Sequence, residues 1–223
     1  MRIGVLGTGN MADALGTRWV AAGHEVLFGG RSPERSHALA ARAGGRPGTL
    51  GEAASFGDAA LLALPHDALA DVLAALGSGT GALRGRTLID CTNAIGPGLL
   101  LTTGTGPGAA RTLARITGAA VVKAFNHLPD SVWRLGPLAA ATTEGPLAVP
   151  LCGDDEAALE TVRTLVRDLG HVPLTVGGLE RADQLEAVTA FLIGLWKSGH
   201  DPRTLLPPFE VVTAGDRAGG RER

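Results

Sequence analysis

A doubly wound α/β fold on a parallel sheet is predicted by three features of this 223-residue chain. Short apolar runs alternate with helix-forming stretches through the first 145 residues. Several of those runs are apolar throughout, as in Ala59-Ala60-Leu61-Leu62-Ala63-Leu64, where a half-exposed strand would alternate with polar residues. A glycine-rich turn follows the first run and opens the first helical stretch. Strands buried on both faces need helices on each side of a parallel sheet.

The elements follow in order. Arg2 to Leu6 is a strand, and Asn10 to Ala22 a helix that Gly23 ends. His24 to Phe28 is the second strand; Pro33 to Ala43 is the second helix, with Ser32 at its N-cap and Pro33 in its first turn. The pattern continues with strand Ala59 to Leu64, helix Asp67 to Leu76, strand Arg86 to Asp90, helix Gly108 to Thr117 and strand Ala119 to Lys123. Beyond Asn126 come strand Leu147 to Cys152, a helix from Asp154, read as its cap, to Leu169, and strand His171 to Val176. A last helix, Glu180 to Trp196, carries Leu185, Val188, Leu192 and Leu195 at helical spacing, with Phe191 and Trp196, and suits either a homodimer interface or burial against its own domain. These divisions suggest a dinucleotide-binding domain at 1–145, a small C-terminal α/β extension on the substrate side at 146–199, and an irregular tail at 200–223.

Composition excludes several classes. With 20 basic and 22 acidic residues there is no electrostatic case for nucleic acid or an acidic membrane face. Apolar stretches are too short for a membrane span of ~20 residues, and no secretory segment is visible, so a cytoplasmic protein is expected. The two cysteines, Cys91 and Cys152, stand far apart without a histidine partner at ligand spacing, so neither a disulfide framework nor a metal site is predicted. Aromatic residues make up only 4%, so the core must be packed mainly from Ala, Val, Leu and Ile.

Chemistry resides in Gly7-Thr8-Gly9-Asn10-Met11-Ala12, a G-x-G-x-x-A placed between the first strand and the first helix. The first glycine permits the turn and the second lets backbone approach a pyrophosphate. The small third residue lets helix and strand pack closely. Phosphates then meet free N–H groups at the positive helix end. At the end of the second strand, where a site for NAD carries a carboxylate, stand Gly29-Gly30-Arg31-Ser32-Pro33-Glu34-Arg35. Two arginines and a hydroxyl suit a 2′-phosphate, so NADP(H) is the expected cofactor.

Leu64-Pro65-His66 and Cys91-Thr92-Asn93 lie at carboxyl ends of strands, where open α/β sheets bind ligands. His66 reads as a helix-start residue and Cys91 as a small core residue. Asn126 and His127, after Lys123-Ala124-Phe125, are candidates for the second substrate or for a structural role. Cys152 reads first as structural. No G-x-S-x-G, H-E-x-x-H or Walker lysine is present, and the absence of tyrosine excludes a Tyr-x-x-x-Lys proton relay. No catalytic acid or base is assigned, and rate must come from positioning two partners.

The ordered set Met-Arg-Ile-Gly-Val-Leu-Gly-Thr-Gly-Asn-Met, Gly-His-Glu-Val before Gly-Arg-Ser, Val-Val-Lys-Ala-Phe-Asn and Val-Pro-Leu-Cys-Gly-Asp-Asp resembles the F420-dependent NADP oxidoreductase family from Met1 to about Leu195. The resemblance implies a Rossmann-type fold and hydride transfer between NADPH and the deazaflavin F420. By matching position it places Thr8, Gly9, Asn10, Met11, Arg31, Ser32 and Arg35 on the phosphates and adenosine ribose. Leu64, Pro65, Asn93 and Ala124 would follow the nicotinamide half, with Asn126, His127, Leu128 and Cys152 toward the deazaflavin. The chain departs from the family pattern in the Gly/Thr-rich stretch from Ile95 to Gly108, at His127 and in the Pro-rich tail beyond His200. A reductase of a small C=N or C=C substrate, and a non-catalytic NADP(H) sensor, are the other readings of the same residues.

Overall fold

The computed structural model describes residues 1–76, 81–136, 145–208 and 210–213. One eight-stranded sheet runs through it in the order β3-β2-β1-β4-β5-β6-β7-β8. Its strands are β1 (Arg2–Leu6), β2 (Glu25–Gly29), β3 (Arg46–Gly48), β4 (Ala59–Leu62), β5 (Thr87–Asp90), β6 (Ala120–Lys123), β7 (Ala148–Gly153) and β8 (Val172–Gly177). The helices are α1 (Asn10–Ala21), α2 (Pro33–Ala43), α3 (Leu50–Ser55), α4 (Leu69–Leu76), α5 (Ala109–Thr117), α6 (Asp130–Arg134), α7 (Glu156–Asp168) and α8 (Ala182–Lys197).

The expected doubly wound sheet is present, with one antiparallel junction at β6 and β7. That junction holds only two register pairs, Val122 with Gly153 and Lys123 with Cys152. All other neighbours are parallel. Strands β7 and β8 therefore continue the sheet of the preceding residues. Two apolar clusters cover its faces, one around Leu15, Trp19, Phe28 and Val162, the other around Leu62, Val72, Leu88 and Leu113. The chain order reverses between β1 and β4, which opens a crevice at the strand carboxyl ends.

Three readings of the sequence are corrected. The segment β3–α3 was not expected; β3 is only Arg46-Pro47-Gly48, too short and too turn-like to register as a strand. The helix expected to be capped by Asp154 starts at Glu156, and Asp155 is the cap, accepting from the Ala158 amide at 2.8 Å. Asp154 instead accepts from the Leu179 amide at 2.8 Å, tying the end of β7 to the turn that precedes α8. In α8 the buried face is Ala182, Glu186, Thr189 and Ala190, while Val188 and Phe191 are 51% and 60% exposed. Two buried polar side chains thus take the innermost positions, while Leu185, Leu192 and Leu195 of the expected stripe are only half-buried. In the tail, Pro202–Leu205 forms a 3-10 turn, and residues 214–223 lie outside the described residues.

Candidate functional site

Three cavities of about 400, 450 and 430 Å³ share walls and form one trough across the carboxyl ends of the parallel strands. The first is lined by Thr8, Gly9, Arg31, Ser32, Arg35 and Leu64, among others. It shares Gly9, Leu64 and Pro65 with the second, which adds Asn10, Met11 and Cys91. Met11 and Cys91 carry over into the third, with Asn93, Phe125, Asn126, His127 and Leu128.

At the first end the residues fit a dinucleotide. Gly7 has φ +134°, and a Cβ there would stand 2.2 Å from the Ala63 carbonyl oxygen, so this turn requires glycine. A Cβ on Gly9 would meet nothing within 4 Å: it would occupy the open space at the mouth of α1. Gly9 is also the N-cap of α1 and supplies no side-chain hydrogen bond, so the first amides of the helix are left to a ligand. Ala12 is fully buried and gives α1 its close packing on the sheet. Arg31 and Arg35 are exposed on the cavity wall, and Arg35 Nη2 donates to the Thr8 carbonyl at 3.3 Å. Ser32 accepts from the Arg35 amide at 3.2 Å as the cap of α2 and donates to Glu34 at 2.7 Å. Glu34 therefore bonds the hydroxyl rather than either arginine, and that bond holds its carboxyl below the usual range.

The other end is assembled from remote segments. Phe125 carries φ +61°, rare for a side chain of this size, two residues after the end of β6. It is fully buried and meets Trp19 and Trp133 edge to face at 5.7 and 5.5 Å. Trp133 in turn meets His127 and His171, each at 5.5 Å. The few aromatic residues thus brace the turn that presents Asn126 and His127. Asn126 Nδ2 donates to Asn93 Oδ1 at 3.0 Å and to Thr189 Oγ1 at 3.2 Å, and Asn93 Nδ2 returns a bond to the Asn126 carbonyl at 2.8 Å. Asn126 Oδ1 and His127 Nδ1 are buried without a partner at this cavity.

Ionisation there is subdued. Burial, reinforced by nearby His171, pushes His127 down to about 4 against a backbone hydrogen bond that opposes it, so the ring is neutral at ordinary pH. Burial pushes the Cys91 thiol up to about 12, and its S–H donates to the Leu62 carbonyl at 3.3 Å. Asp130 on the same wall is paired with Arg134 at 3.2 Å.

Two expected contacts do not reach the trough. Ala124 is fully buried and lines none of the three cavities. Cys152 is paired with Lys123 inside the sheet, its thiol pushed up to about 11 by burial, and lines none of them either. Residues that were not anticipated do: Thr189, Ile193, Trp196 and Lys197 of α8, and Cys91. Among the described residues no cluster of His, Cys, Asp or Glu could hold a metal ion, and no helix is long and apolar enough to cross a membrane.

Comparison with known proteins assigns the chain. Residues 2–94, which run from β1 to the loop after β5, match the family described as NADP oxidoreductase, coenzyme F420-dependent. The F420-dependent NADP reductase of Methanothermobacter marburgensis is 30% identical over 215 residues, covering 87% of this chain and 92% of that protein. The chain belongs to the F420-dependent NADP reductase family. It is accordingly an NADP-dependent oxidoreductase. Metalloreductase STEAP3 of Rattus norvegicus is 32% identical over 197 residues, 88% of this chain but only 38% of its own length, so this chain spans well under half of that relative. The structure of an F420-dependent NADP-reductase candidate from Arthrobacter sp. FB24 has the family's fold, with a TM-score of 0.75 over 89% of this chain and 94% of that one at 24% identity.

Proposed function

We propose that this reductase transfers a hydride between NADP(H) and the deazaflavin F420, both held in the trough. The observation that carries the reading is its continuity: a basic, glycine-lined end runs without interruption into a neutral, mostly apolar end. Arg31, Ser32 and Arg35 take the 2′-phosphate, and the amides from Gly9 to Met11 take the pyrophosphate. Leu64, Pro65, Cys91 and Asn93 flank the nicotinamide. Asn126, His127 and Leu128, with Thr189, Ile193, Trp196 and Lys197 from α8, receive the second substrate. In this reading residues 1–145 hold the dinucleotide and 146–199 close the substrate side.

When bound, NADPH supplies the hydride, and the chain supplies orientation and exclusion of water. Among the described residues of the inner wall, the titratable groups are poor acids: His127 is neutral above about 4, Cys91 holds its proton to about 12, and Asp130 is ion-paired, while Lys197 stands at the exposed end of α8. Transfer between two hydride carriers suits such a site better than reduction of a C=N bond, which asks for a proton donor at the reacting nitrogen.

The test is to mix the protein with NADPH and oxidised F420 and follow deazaflavin absorbance. Loss of that absorbance with stoichiometric NADP+ formation is expected. Tight NADPH binding without turnover of F420 would defeat the assignment of the second substrate, and turnover of a cyclic imine instead would replace it.

A further inference from the structure

Directly behind the neutral end of the trough lies a charged cluster that lines none of its cavities. Lys123, at the end of β6, is fully buried, and its Nζ donates to Asp90 Oδ2 at 3.0 Å, to Glu186 Oε1 at 2.7 Å and to the Thr92 carbonyl at 2.5 Å. The remaining carboxylate oxygens are also used: Asp90 Oδ1 accepts from the Thr92 amide, and Glu186 Oε2 from the Ala94 amide, each at 2.9 Å. All three protons of the ammonium and all four oxygens of the carboxylates are engaged. Burial by itself would pull Lys123 down, but the two carboxylates more than reverse this and hold it above the ordinary lysine range.

One ammonium and two carboxylates sum to a formal charge of −1, at side-chain exposures of 0, 0 and 2%. A buried net charge is costly, and a single ion pair or apolar contacts would fasten α8 to the sheet at lower cost. The location suggests what offsets that cost. Thr92 and Ala94, whose carbonyl and amide bind the triad, flank Asn93, which lines the cavity beside Cys91. The charge therefore sits behind the wall against which the nicotinamide lies in the proposed function, and the inference rests on that placement.

We propose that the Asp90–Lys123–Glu186 triad sets a fixed negative charge behind the nicotinamide and thereby favours the cationic ring of NADP+ over the neutral ring of NADPH. Hydride departure carries two electrons and one hydrogen nucleus from the ring to the acceptor, leaving a positive charge on the ring and a negative one on the acceptor until it takes a proton from solvent, so the field acts on the oxidised nucleotide's share of that separation. Asp90 and Glu186 touch no reactant; they are positioning groups for Asn93 and sources of field. Charges ~10 Å apart at an effective dielectric of ~20 change a binding constant on the order of tenfold.

The experiment measures dissociation constants for NADP+ and NADPH separately, by titration at equilibrium, in the wild type and in Glu186→Gln, which nearly preserves volume and removes the charge. NADP+ is expected to weaken about tenfold more than NADPH. Asp90→Asn removes the same charge from β5 and is expected to shift the ratio in the same direction, so either variant decides if the other fails to fold. The wild type needs no variant: it is expected to bind NADP+ at least as tightly as NADPH, and a tenfold preference for NADPH overturns the proposal. Equal weakening of both nucleotides, or no change in either, also overturns it and leaves the triad a clip. Asn93→Leu separates the underlying placement: if it leaves both affinities untouched, the nicotinamide lies elsewhere and both readings fall. If it weakens both while Glu186→Gln leaves their ratio fixed, only the field is lost.

Discussion

At the glycine-lined end of the trough the polar wall comes from two stretches close in sequence, residues 7–11 and Arg31, Ser32 and Arg35. At the opposite end they are side chains drawn from residues 91–93, 125–130 and 189–197, braced by edge-to-face aromatics and by a buried charged triad. Apart from Gly7 and Ala12, which the turn and the packing of α1 require, the first end is an attachment to a finished sheet, so its exposed side chains can change without disturbing the fold. The second is part of the core, so binding and stability are determined by the same atoms. Substitutions at the two ends should therefore separate affinity from stability.

The largest effect is expected at the core end. Lys123→Met leaves two buried carboxylates without their cation, and breaking such a cluster costs ~3–5 kcal/mol. Urea unfolding monitored by tryptophan fluorescence measures it. A loss below ~1 kcal/mol would show that water reaches the triad and would erase the contrast between the ends.

Gly9→Val tests the other end. Gly9 has φ −89° and ψ −170°, an ordinary extended conformation, and its Cβ would meet nothing within 4 Å. The fold should tolerate valine, while the added methyl groups stand where the pyrophosphate approaches the amides of α1. NADPH affinity is expected to drop roughly 100-fold with little change in Tm. Arg31→Ala follows with a smaller, selective effect: loss of a charge-assisted bond to the 2′-phosphate should weaken NADPH at least about tenfold and leave NADH nearly unchanged. Equal losses for the two nucleotides would remove Arg31 from 2′-phosphate recognition.

The same contrast accounts for what the sequence reveals. A turn whose glycines and arginines are close together is readable because its chemistry is local: Gly7 to Met11, Arg31, Ser32 and Arg35 line the trough, and Ala12 is buried beside it. The buried strands were legible from their uninterrupted apolar runs. Glu186 and Thr189 were not, because a polar residue at a core position of α8 looks like a solvated one until β6 and the loops after β5 and β6 supply its partners 63 to 92 residues earlier. Thr49-x-x-Glu52 did carry a signal for α3, since both halves of the capping box form, but the three-residue β3 before it gave no context. Cys152 shows the converse: it pairs with Lys123 in the sheet and is fully buried among the apolar residues of one sheet face, so only its structural reading fits.

His127 tests whether the core end is dry, through the smallest of these effects. Its ring titrates at about 4 in the folded chain and near 6.5 when exposed. Between those values the unfolded chain binds the proton that the folded chain refuses, so stability is full above about 6.5 and is lost as pH falls toward about 4. Below that both states are protonated and the loss stops. With allowance for partial exposure the contribution is about 1–2 kcal/mol. His171 and His24 are lowered in the same direction, so acid destabilisation should persist in His127→Leu but with a shallower slope across this window. Urea midpoints at several pH values for both proteins measure the difference. An unchanged slope would mean that solvent reaches the imidazole and that the wall facing the second substrate is wet, which would remove one support for assigning it to a hydride carrier that can take its proton from solvent.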